Sequence, residues 1–185
     1  MLSTWAVLPT RLPLVRRRCA VCACERFQAS GKFRVNANHK LLDAWLLVLC
    51  TGCGETAKLA VLERVHVRSV RPDLLERLRD NDFDLVADLL QRSAVHHRNR
   101  VTLDWTDAWR LDTGGTDHLD GDVVEVMDVS VRFAARIPVR PVSLIAEGCR
   151  LTRGEVERLI ARGRLVSAVR LGGRLSDDFT FTLKR

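Results

Sequence analysis

Four cysteines constrain this chain more than any other feature: Cys19 and Cys22 form one C-x-x-C pair, and Cys50 and Cys53 form another. Two residues between two thiols let one tight turn, a knuckle, aim both sulfurs at a single point. Four such thiolates make the soft, tetrahedral donor set that suits zinc. The expected site is one structural zinc ion on Cys19, Cys22, Cys50 and Cys53. Gly54 directly follows the second pair, where a residue free to take positive φ lets amides point at the sulfurs. The pairs are 27 residues apart, positions 23 to 49, beyond the roughly 15–20 of the common pattern. A β-hairpin inserted between the knuckles accounts for the excess. Cys24 offers a spare thiol beside the first pair and is expected to be a bystander, as is Cys149, while His39 is a weaker substitute ligand.

A disulfide framework needs an oxidising compartment. Residues 1–18 do not read as an export signal: no basic residue precedes the apolar part, Pro9 and Pro13 interrupt it, and the arginines come after. A cytoplasmic protein with reduced thiols is expected. No apolar run approaches the roughly 18 residues of a membrane-spanning helix, so no membrane partner is expected either. The net charge of +7 is unevenly placed. Residues 1–72 hold 12 basic against 4 acidic residues, 73–125 hold 6 against 13, and 126–185 hold 12 against 6. Two basic ends around an acidic middle direct any polyanion to the ends.

Along the chain, Thr4 to Leu8 reads as an edge strand ended by Pro9. Phe33 and Val35 alternate with Arg34 and Asn36, the pattern of a strand with one buried face, and Asn36 to Lys40 turns the chain. Leu41 to Leu49 is apolar on both faces apart from Asp43, which predicts a central, doubly covered strand delivering Cys50 to the metal. The next strand has Leu59, Val61, Val65 and Val67 on one face, and Glu63 breaks the pattern, marking either a bulge or the point where the strand leaves the core. Pro72 opens a short amphipathic helix, and Leu85, Val86, Leu89 and Leu90 make a second. Residues 93–121 carry little signal; Gly114-Gly115 marks a loop, and the adjacent His96 and His97 diverge too far to share an ion. Val123 to Ile137 reads as one or two strands. Thr152-Arg-Gly-Glu155 is a capping box opening a helix, with Arg158 and Arg162 one turn apart on its polar face. Strands over 165–171 and 179–183 close the chain.

The fold class is therefore α+β in three segments: a zinc-ribbon-like antiparallel β unit over 1–71, helices and loop over 72–121, and a small helix-turn-helix-strand unit over 122–185. That last unit, with Leu144-Ile-Ala-Glu-Gly148, Leu151-Thr-Arg153, Leu159-Ile160 and Gly163, resembles the RNA-binding motif first described in a small-subunit ribosomal protein and shared by pseudouridine synthases and tyrosyl-tRNA synthetases. It departs from that family in having Val166-Ser-Ala168 where Val-Asn-Gly is usual. The resemblance implies RNA contact through the second helix and the following turn. The whole chain also resembles the bacterial family called domain of unknown function 1062, through Phe33-Arg-Val-Asn-Ala-Asn38, Leu41-Leu-Asp43, Trp45-Leu46, the cysteine pairs and Asn81-Asp82.

The function expected is zinc-stabilised nucleic-acid binding, RNA foremost, with Arg153, Arg158, Arg162 and Arg164 on phosphates. A DNA-binding regulator and a protein-interaction module are the alternatives. No enzyme and no small-molecule substrate are expected, because no phosphate-binding glycine loop, H-E-x-x-H or G-x-S-x-G is present and four thiolates leave a zinc ion no open position for water.

Overall fold

The computed structural model describes residues 2–115 and 126–184. In chain order these form β1 (Leu2–Pro9), β2 (Leu14–Arg16), β3 (Arg26–Asn38), β4 (Leu41–Cys50), β5 (Thr56–His66), α1 (Pro72–Arg79), α2 (Phe83–Gln91) and α3 (Ser93–Asn99). There follow β6 (Thr102–Asp104), β7 (Trp109–Asp112), β8 (Val126–Phe133), α4 (Pro141–Gly148), α5 (Arg153–Ala161), β9 (Leu165–Ser167) and β10 (Phe179–Lys184). The class is α+β: two five-stranded sheets, both mainly antiparallel, and five short helices. The chain divides into two units, residues 12–106 and residues 1–11 together with 107–185. This differs from the expected division at 71 and 121, because β1 leaves its sequence neighbours and pairs in parallel with β8.

In the unit of residues 12–106 the strand order is β5-β4-β3-β2-β6, every pair antiparallel. The β3–β4 hairpin is the one the long cysteine spacing required. One face of the sheet is covered: Phe27, Ala44, Leu46, Val48 and Leu59 pack with Leu78 of α1, Leu85, Val86, Leu89 and Leu90 of α2, and Val95 of α3. The expectation of a doubly covered β4 fails. Leu42, Ala44, Leu46, Val48 and Cys50 are buried, whereas Leu41, Asp43, Trp45 and Leu47 are half-buried and Leu49 is exposed. An apolar side chain on a strand is a necessary condition for burial and not a sufficient one.

Two irregularities shape this sheet. A bulge in β3 between Ala29 and Phe33 holds Gly31 at φ 76°, and the Ser30 hydroxyl donates to the Leu47 carbonyl at 2.9 Å. Asn81, at φ 56°, steadies it by accepting the Phe33 amide at 2.7 Å. Next to it, Asp82 caps α2 by accepting the Leu85 amide at 2.7 Å, and pairs with Arg77 at 3.0 Å. The Arg77 guanidinium and the Leu85 amide together hold the Asp82 carboxyl below its ordinary range. The second irregularity falls where Glu63 breaks the alternation. The β4–β5 register shifts there, Arg64 takes φ 48°, and its amide donates to Asp43 at 2.8 Å. The weak segment after Ser93 contains a helix and two short strands; α3 is anchored by Asn99, whose side chain pairs with both the amide and the carbonyl of Ala60.

In the other unit the order is β7-β1-β8-β10-β9. β1 is flanked on both sides and is no edge strand; Trp5 and Val7 point into the core, and Pro9 stands at the strand end, where its missing N–H costs least. Trp5 meets Phe181 edge to face, centroids 5.4 Å apart. The 123–137 expectation is met by β8 from Val126; residues 123–125 and most of the expected polar loop, 116–121, lie outside the described residues. The Leu165 strand stops at Ser167 rather than Leu171.

Gly148, ending α4, sits against the Trp5 ring so closely that a Cβ there would lie 2.4 Å from two ring carbons. Because the indole is wedged in the core and cannot swing away, Gly148→Ala should destabilise this unit by about 1–3 kcal/mol, read as a lower denaturant midpoint with unchanged slope. An unchanged midpoint would mean the Trp5 ring is free to shift.

Candidate metal centre

The two knuckles are built alike. In each, the first cysteine's amide is closed onto a carbonyl five residues on: Cys19 onto Cys24 at 2.7 Å and Cys50 onto Glu55 at 2.8 Å. In each, the amide two residues past the first cysteine points at its sulfur, Val21 to Cys19 Sγ and Gly52 to Cys50 Sγ, both at 3.4 Å. In each, the residue after the second cysteine is left-handed: Ala23 at φ 59° and Gly54 at φ 75°. Glycine at the second site was legible in the sequence; alanine at the first gave no signal.

The knuckles converge. Cys19 Sγ lies 3.7 Å from Cys53 Sγ, and Cys22 Sγ 3.5 Å from Cys50 Sγ. All four sulfurs fall within 4.8 Å of one another. Metal–sulfur bonds of about 2.3 Å give a tetrahedron with edges of about 3.8 Å, so the thiols stand close to where one ion needs them. They can hold a metal ion. Cys19 and Cys50 are buried and belong to the core of this unit, whereas Cys22 and Cys53 reach solvent. Gly52 keeps the gap between knuckles clear: a Cβ there would lie 3.1 Å from Cys24 Cβ and 3.2 Å from Cys22 Sγ.

The four thiols cannot share charge evenly without a cation. Amides of Cys22 and Val21 lower Cys19 to about 7. Burial raises Cys50. At Cys53 a backbone contact with Glu55 pulls downward, but the neighbouring thiols and burial outweigh it and push the group up to about 12. A central dication would favour the thiolate at each of the four, the form in which sulfur binds a metal.

Of the other candidate residues, Cys24 stays beside the cluster and keeps an interaction with the Cys50 thiol, and the rest lie away from it. Cys24 turns its sulfur to Thr51 Oγ1 at 3.4 Å and the Arg26 carbonyl at 3.8 Å. His39 lies in the exposed turn at the opposite end of the β3–β4 hairpin from Cys50, so it is no substitute ligand. Cys149 is buried in the other unit. His96 bonds the Leu90 carbonyl through its ring, and His97 is exposed. Arg153 lies in the first turn of α5, Arg158 in its last turn, Arg162 at its C-cap and Arg164 just beyond; all four are exposed. The capping box at Thr152 and Glu155 is present, and α5 closes with Gly163 at φ 65° and the Arg164 amide on the Leu159 carbonyl.

Among known families, residues 35–171 match the one described as "Protein of unknown function (DUF1062)". That is about three quarters of the chain. The chain belongs to this family. The matched stretch includes Cys50 and Cys53 and begins after Cys19 and Cys22. No curated protein and no solved structure matches.

Three predictions concern the centre. Metal should co-purify at one ion per chain and be lost in Cys50→Ser, while Cys24→Ser and Cys149→Ser retain it; elemental analysis decides, and loss in Cys24→Ser would reassign the first knuckle. Because thiolates must be deprotonated to bind, the ion should be released as pH falls and not as it rises. Ala23→Gly should relieve the left-handed backbone and stabilise the metal-bound unit by about 1 kcal/mol, seen as a raised denaturation midpoint; a lowered midpoint would show that Ala23 is unstrained.

Proposed function

We propose that this chain is a nucleic-acid-binding protein, acting foremost on RNA, with a structural zinc ion on Cys19, Cys22, Cys50 and Cys53. The ion's work is to join the start of the sheet to the root of the β3–β4 hairpin. Four thiolates close its coordination, so it stabilises and does not activate water. The zinc-ribbon-like reading of the hairpin belongs to this proposal, as does an RNA-binding role for α4, α5 and the strands after them.

The observation that carries the reading is the arginine group on α5. Arg153, Arg158, Arg162 and Arg164 are exposed, and among the described residues none forms an ion pair with a carboxylate. Glu155 is engaged in the cap, accepting from the Thr152 amide and hydroxyl, both at 2.7 Å, while the Arg158 charge helps to lower its carboxyl. Two of the arginines are held by main-chain carbonyls: Arg158 Nε by Gly154 at 3.2 Å and Arg164 Nε by Lys184 at 3.2 Å. Exposed cations on and just after one helix, none in a close ion pair, suit phosphates.

Replacing Arg158 and Arg162 together with Gln should weaken binding to a structured RNA hairpin evenly across sequences. It should also flatten the slope of log affinity against log salt by about 1.5–2 units, at roughly 0.7–0.9 per phosphate contact. If the wild type binds duplex DNA of one sequence more tightly than RNA, the RNA assignment falls. If it binds neither, the nucleic-acid reading falls.

A further inference from the structure

The face of the sheet opposite the helices in residues 12–106 carries an arrangement that neither the four cysteines nor α5 uses. Along β4, Trp45, Leu47 and Leu49 lie half-buried or exposed on the face opposite the helices. Arg34 is the direct cross-strand partner of Trp45 on β3, and Lys58 the partner of Leu47 on β5. Both are exposed, and neither forms an ion pair among the described residues. Lys58 Nζ stands 5.2 Å from the centre of the Trp45 ring. Asn36, next on the same face of β3, adds an amide able to donate and accept. The one acid of this group, Asp43, accepts the Arg64 amide at 2.8 Å.

We propose that this face is a second nucleic-acid site, one that takes unpaired bases of a single strand, with a base on Trp45 and phosphates on Arg34 and Lys58. The occupant must offer flat apolar surface to a strip of Trp and Leu, and negative charge to the cations beside it. A single strand does both, because its bases are free to leave one another and its backbone runs alongside. A duplex hides its base faces and cannot. The ammonium over the indole does not block the site. That contact is worth about 2–5-fold in an equilibrium at an exposed position, whereas a base stacked on an aromatic ring is worth about 5–150-fold. The base takes the ring, and the long lysine stem lets the ammonium follow the phosphate.

This site is separate from the arginines of α5 and does not require them, so the two can fail independently. The test uses the full chain with its metal and a labelled 12-nucleotide oligouridylate, followed by anisotropy, with a 12-base-pair RNA duplex alongside. Trp45→Ala should weaken oligouridylate binding by about 5-fold or more and leave the duplex unchanged. Arg34→Gln with Lys58→Gln should weaken it and flatten its salt dependence. The fold-loss caused by Trp45→Ala should be the same in the wild type and in the Arg158→Gln, Arg162→Gln background. Since Trp45→Ala can also disturb the sheet, Trp45→Phe gives an independent reading: it should keep binding within about 3-fold while abolishing the quenching of tryptophan fluorescence that oligouridylate causes in the wild type. Wild-type affinity in Trp45→Ala, or quenching that survives in Trp45→Phe, overturns the proposal. So does equal affinity for a polyglutamate peptide, which would show that the face reads charge alone.

Discussion

The unit of residues 12–106 depends on four sulfurs meeting at one point. Cys19 arrives from the chain after β2 and Cys50 from the end of β4, and both are part of the hydrophobic core as well as the thiol cluster. Helix burial orders one face of the sheet, but nothing apolar closes its knuckle end. There the backbone turns through two left-handed residues and leaves thiols whose protonation preferences run from about 7 to about 12. A cation held there would favour the thiolate form of all four and tie the knuckles to the core that Cys19 and Cys50 already share.

What the sequence shows and what it hides follow from how local each signal is. The knuckles, their spacer hairpin and the break at Glu63 are written in short-range spacing, and all three stand in the structure. Ala23 matches Gly54 in conformation, yet alanine carries no mark of a left-handed backbone, so the symmetry of the knuckles is invisible until the φ angles are known. The α3 helix is hidden for a different reason: Ser93–Asn99 has one buried residue, Val95, and too few apolar positions to form a stripe. The largest misreading concerns β1. Its partner β8 starts more than a hundred residues later, and a parallel pairing leaves no turn between the strands to be recognised.

The opposite error occurred at β4, where apolar residues on both faces predicted two covers. Only one is supplied by this unit's helices, and the leftover face is where Trp45 stands between Arg34 and Lys58. Failure of a strand to bury what it presents is informative, because exposed aromatic surface flanked by cations is costly to keep without use. The Asn81-Asp82 pair, one of the features through which the chain resembles its family, serves the backbone, one residue holding a bulge and the other a helix start.

The insertion of one unit within the other has a consequence for synthesis. β1 leaves the ribosome long before β8 and β10, which belong to its sheet. At about 5–20 residues per second, β1 waits many seconds while the unit of residues 12–106 emerges and folds behind it. During that wait Trp5 and Val7 have no core, and both edges of the strand are unpaired. When Trp109 arrives it aligns with Pro9, and the Thr10 amide reaches the Ala108 carbonyl at 2.9 Å, so the inserted unit returns the chain to where it left. Closure of that first seam turns a distant pairing into a local one, leaving β8 only a preformed ribbon to find.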